Sequence, residues 1–152
     1  MQVIALSIIW LYFIPEVLAL APAASLQKKE MFGGAQNYHH APDKVDLTVL
    51  DTEIKYSDLS RENIQDLDDL IEAKKEYGKV FGFKDWQLKE KKFLDDKTER
   101  TFLLRGNYKN SSQKTVHFLE VYWANQNKSG QFLLTSQSGE ISIDSYKKYL
   151  RP

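Results

Sequence analysis

The chain of 152 residues contains no cysteine, four prolines, seven glycines and no excess of either charge, with 21 basic and 21 acidic side chains. The missing cysteines exclude a disulfide scaffold, thiolate-bound zinc, an iron–sulfur cluster and thiol catalysis. The balanced charge gives no global field for nucleic acid or acidic lipid, so either partner would need a local patch. No P-loop, dinucleotide fingerprint, EF-hand loop, H-E-x-x-H or G-x-S-x-G is present, so no cofactor is expected. The length suits one domain.

What is present is unevenly placed. Residues 1–23, MQVIALSIIWLYFIPEVLALAPA, hold no Lys or Arg, and Glu16 is their only charge. Val3 to Ile14 has the length of a signal-peptide apolar region, Pro15 breaks it, and small residues lead to a cleavage position after Ala23. The alternative is an uncleaved membrane anchor, since the 22 residues Val3 to Ala24 can span a bilayer. Burying Glu16 near the bilayer centre would then cost about 2.5 kcal/mol or more. Lys28 and Lys29 would favour a cytoplasmic or matrix-side C-terminus for an anchor. Removing residues 1–23 leaves 21 basic and 20 acidic side chains, so the remainder stays neutral.

Residues 24–44, with Gly33-Gly34 and Pro42, show no periodicity and read as a flexible linker. From residue 45 to 152 the pattern is that of a single α+β domain. Val45, Leu47 and Val49 alternate as a half-buried strand. Ser60 is placed as an N-cap, and Ile64, Leu67, Ile71, Tyr77 and Phe81 recur as an apolar stripe, predicting a helix over 61–81 that Gly82 stops. Four strands follow: Trp86 to Leu94, weakly alternating and charged like an edge; Thr101 to Tyr108; Thr115 to Trp123, apolar on both faces and therefore central; and Gln131 to Ser136. Asp144 to Leu150 can add a short helix. The expected architecture is one amphipathic helix packed on a four- to five-stranded antiparallel meander, with an apolar segment in front.

Each conspicuous polar residue has a plain reading. His39-His40 with Asp43 has the residue types of a metal site, but adjacent residues on an extended chain point to opposite sides. A solvated loop explains them. His117 lies in the central strand and lacks a nucleophile and an orienting acid, so it reads as packing. The lysines at 89, 91 and 92 beside Trp86 and Phe93 have the composition of a single-strand nucleic-acid site. Protection of an edge strand accounts for them, and no nucleic-acid partner is expected. Asn110-Ser111-Ser112 and Asn127-Lys128-Ser129 match the N-glycosylation pattern in loop positions.

The order strand, helix, four strands resembles the cystatin fold, with Gly33-Gly34 ahead of the first strand. The inhibitory Q-x-V-x-G and Pro-Trp hairpins are missing, since the corresponding turns read DDKTE and ANQNKSG. Residues 65–137, with YGKVFG, RTFLLRGNYKN, KTVHFLEVYWANQNK and SGQFLLTSQSG, are similar to the domain of cytochrome oxidase assembly factors and mitochondrial presequence-translocase subunits. That resemblance implies a small α+β domain behind a membrane helix that works by binding.

Since both faces of the central strand are apolar, the second face needs a cover, which the C-terminal tail, a partner or a second copy can supply. The leading expectation is an exported or membrane-tethered, non-catalytic module that binds a protein partner, or a second copy of itself. The contact surface would be an aromatic sheet face carrying Phe118 and Tyr122, or Leu119, Val121 and Trp123. Contact with a membrane would run only through residues 1–23. The first alternative is a ligand-binding or enzymatic cone whose pocket, between helix and sheet, is lined by Tyr77, Phe81, Phe102 and Phe118. The second is a structural subunit of a membrane complex. A closed apolar helix–sheet interface favours the binding module; an open pocket with a convergent acid or histidine favours the cone.

Overall fold

The computed structural model describes residues 27–28, 36–50, 55–57, 59–60 and 67–150. The apolar segment 1–23, Gly33-Gly34 and Ile64 lie outside the described residues. No helix among the described residues is long and apolar enough to cross a membrane.

Among the described residues, seven strands form one antiparallel sheet: β1 (Gln27–Lys28), β2 (Gln36–His40), β3 (Val45–Leu50), β4 (Lys84–Asp95), β5 (Glu99–Lys109), β6 (Thr115–Asn125) and β7 (Ser129–Ser136). Their spatial order is β1-β2-β3-β7-β6-β5-β4. The strand before the helix therefore pairs with the last strand of the meander, Leu47 opposite Leu134. Helix α1 (Leu67–Val80) lies on one face, and a 3-10 turn (Ile143–Ser145) leading into helix α2 (Tyr146–Tyr149) lies near the C-terminus.

The expectation of one helix on a four- to five-stranded sheet is overturned: the protein is mostly antiparallel sheet, with short helices. The extra strands come from the stretch expected to be a linker. Gln36–His40 pairs along its whole length with β3. Its residues QNYHH include only one clear apolar side chain, too few for an alternating pattern. His39 hydrogen-bonds Asp46 at 2.8 Å and Thr48 donates to Asn37 at 2.8 Å, so polar side chains reinforce the ladder.

The four later strands lie where the alternation puts them. β4 is an edge, and β6 is interior with both faces buried. The weak alternation of β4 has a cause. A bulge between Leu88 and Glu90 sets two residues against one on β5 and reverses the phase. Trp86 and Leu88 before it, and Phe93 after it, thus join the same apolar cluster. Helix α1 ends as the sequence predicts. Gly82 takes φ 76°, its N–H bonds to the Lys79 carbonyl at 3.0 Å, and the Phe83 N–H reaches the Gly78 carbonyl at 3.0 Å. This is a Schellman motif, and φ of that sign suits glycine.

Each sheet face carries its own core. On one, Leu47, Leu103, Leu119, Val121, Trp123 and Leu134 pack against Ile141, Ile143, Tyr146, Tyr149 and Leu150 of the C-terminal segment. Ion pairs hold that segment at both margins. Lys89 and Lys92 of β4 bind Glu140 and Asp144 at 3.1 and 2.8 Å, and Lys148 and the Tyr149 hydroxyl both reach Asp43 in the β2–β3 turn. On the other face, Phe102, Leu104, Phe118, Tyr122 and Ala124 meet Leu59 and Ile71.

Candidate functional site

The helix side of the sheet holds an open cavity of about 380 Å³. Its origin lies in which residues α1 turns inward. Within 71–80 the buried or half-buried positions are Ile71, Lys74, Lys75 and Gly78. This face has one apolar side chain, two flexible cations and a glycine, too little to fill the space above β6. Tyr77 and Phe81, expected to face the core, are instead 67% and 54% exposed and form the cavity's lip. Their rings meet edge-on at 5.0 Å.

From the lip an aromatic wall runs inward. Phe81 neighbours Phe83 at 6.1 Å, Phe83 stacks on Tyr108 at 4.4 Å, and Trp86 stacks on Phe118 at 5.3 Å. At the floor sits Glu120 of β6, whose side chain is only 7% exposed. Three donors converge on its Oε1: Lys74 Nζ at 2.6 Å, Gln131 Nε2 at 2.6 Å and the Tyr122 hydroxyl at 2.8 Å. None of the described residues donates to Oε2. A carboxylate removed from water requires this compensation, and the ammonium of Lys74 supplies the charge. Lys74 also lies 5.5 Å over the Tyr122 ring.

Removing one partner should expose the cost. Lys74→Met is expected to destabilise the fold by about 1–3 kcal/mol, because Glu120 keeps its burial and loses its charged donor. Adding Glu120→Gln to that variant should recover part of the loss, a coupling read from a double-mutant cycle of urea midpoints.

The tyrosines set an alkaline limit. Burial, then the Glu120 charge beside it, pushes the Tyr122 hydroxyl far above its ordinary range; burial alone raises Tyr108. Tyr149 and Tyr146 are raised as well, both chiefly by burial, and Tyr149 also by its bond to Asp43. A raised folded value means that this stability is complete below the unfolded value of about 10 and is lost as pH rises beyond it. Urea midpoints should therefore fall steeply above about pH 10, with tyrosinate absorbance appearing together with unfolding.

The residues expected to form an open contact face do not. Leu119, Val121 and Trp123 are buried beneath the chain's own C-terminal segment, and Phe118 and Tyr122 lie beneath α1. Of these, Phe118 lines the cavity. Of the four residues expected to line a helix–sheet pocket, Tyr77, Phe81 and Phe118 do so, while Phe102 lies buried beside Tyr122. His39 and His40 diverge as extended chain dictates, one to Asp46 and the other to within 3.2 Å of Asp43. No group of three or more His, Cys, Asp or Glu residues able to hold a metal occurs among the described residues. His117 is half-buried on the face opposite Glu120. Asn110 lies at the β5–β6 turn, where its Oδ1 accepts from the Ser112 and Lys114 N–H groups at 3.0 Å; Asn127 is exposed in the β6–β7 turn.

Sequence reading missed Lys74, Glu120 and Gln131. The available signal was Glu120 itself, the one acid inside TVHFLEVYWAN, since a strand apolar on both faces rarely carries an unpartnered charge. Compared with protein families, curated proteins and solved structures, the chain matches none.

Proposed function

We propose that this protein is a small-ligand-binding module that holds an apolar molecule between helix α1 and the sheet. The observation that carries the reading is the pairing of an open, aromatic cavity with one buried carboxylate at its floor. Binding pockets combine such an apolar lining with a few placed polar groups, and about 380 Å³ falls within their usual size. Among the described residues lining the cavity there is no Ser, Thr, Cys or His, so none of the Ser–His or Cys–His pairs of hydrolases is assembled there. That favours retention of a ligand over its conversion. The sheet faces expected to meet a protein partner are covered by the chain's own segments, while the cavity stays open to a small molecule.

The test uses the neutral fluorophore N-phenyl-1-naphthylamine with the full chain. Saturable, one-to-one enhancement is expected, with amide shifts confined to α1, Phe83, Trp86, Tyr108, Phe118, Glu120, Gln131 and Leu133. No saturation, or shifts centred on the C-terminal segment, would overturn the reading. Export or tethering through residues 1–23 belongs to the same proposal. Intact mass of the protein from its native source decides between the two: loss of residues 1–23 supports export, and their retention supports an anchor.

A further inference from the structure

We infer that the cavity selects a neutral, flat, apolar molecule ending in a group that donates and accepts hydrogen bonds at once, of the amide or lactam class. The inference rests on the pocket reading and adds the chemistry of the ligand. Glu120 is more than nine-tenths buried, and Lys74, Tyr122 and Gln131 all donate to the same oxygen, Oε1. The second oxygen, without a donor among the described residues, is an acceptor in an apolar setting. It lies at the open cavity's floor, where a ligand N–H can take over the hydrogen bond that water would otherwise give it. Lys74 gives one of its N–H groups to Glu120 and lines the cavity, so further N–H donors stand beside the carboxylate. Acceptor and donor side by side match the two edges of an amide.

Charge sharpens the choice. Glu120 and Lys74 cancel, so the floor carries no net charge. An anionic ligand would face the carboxylate, and a cationic one the ammonium, each in surroundings where like charges are poorly screened. The body of the ligand is set by the wall: Trp86, Phe118, Tyr108 and Phe83 line the cavity, and their rings, stacked on one another in pairs, form a stiff aromatic surface that favours a flat apolar guest.

Four naphthalene probes with one skeleton make the test by calorimetry on the full chain: 2-naphthamide, naphthalene, 2-naphthoate and 2-naphthylmethylammonium. The amide is expected to bind at least fivefold tighter than each of the others. In Glu120→Gln, which leaves Lys74 as the only charge among the described lining residues, 2-naphthoate should become the tightest. An amide less than fivefold ahead of any other probe in the unmodified protein overturns the inference while the pocket reading stands. Saturation by none of the four overturns both. Should Glu120→Gln fail to fold, the unmodified protein decides alone.

Discussion

Gly106→Ala is expected to remove about 4 kcal/mol or more of stability, among the largest effects of any single methyl group in this chain. A Cβ at that position would lie 2.0 Å from the backbone oxygen of Gln87 and 2.8 Å from the Phe118 ring. A ring can tilt. The carbonyl cannot retreat, because Gln87 and Leu88 pair with β5 at this point, directly before the bulge. Relief requires β4 to peel away from Gly106. As an edge strand it can, but Trp86 and Leu88 would leave the core cluster with it, and Trp86 is a wall of the cavity. The variant should therefore lose probe binding together with stability, and its β4 amides should exchange hydrogen faster than those of β6. Gly139→Ala is the control, since a Cβ there meets nothing within 4 Å. Equal urea midpoints for the two variants would contradict this account.

What could be read from the sequence, and what could not, divides along physical lines. Strands β3 and β5–β7 carry strict or two-faced apolar patterns, and the helix stop at Gly82 depends on one residue's freedom at positive φ. These signals are local and were legible. β2 was not, because a strand toward the sheet margin needs few apolar residues when polar pairs such as His39–Asp46 and Asn37–Thr48 support it. The phase reversal in β4 was hidden by its bulge. Long-range facts were the least accessible. That β3 joins β7, and that the C-terminal segment covers Leu119, Val121 and Trp123, follows from packing and from no local pattern. The cavity is of that kind too. Its acid could be suspected as an isolated charge in a buried strand, but Lys74 lies 46 residues away and looked like one more solvated helix cation.

Truncation after Gly139 tests the other half of the structure and should be the most severe change of all. It removes Ile141, Ile143, Tyr146, Tyr149 and Leu150, each no more than 6% exposed. At about 1.5–3 kcal/mol for each buried side chain, the sum is on the order of 10 kcal/mol, comparable with the whole stability of a domain this size. It also strips Glu140 from Lys89 and Arg105, Asp144 from Lys92, and both Lys148 and Tyr149 from Asp43. Those surface pairs add little individually, yet they fix the segment at both sheet margins. The truncated chain should show no cooperative melt as a monomer. Any folded fraction must cover Leu119, Val121 and Trp123 by other means, and a second copy offering the same bared face is the nearest at hand. Light scattering should therefore find a larger mean assembly for the truncated chain than for the full chain. A truncated monomer that melts cooperatively near the full chain's midpoint would show that the C-terminal segment is an ornament on the sheet, and that the face beneath it is stable in water.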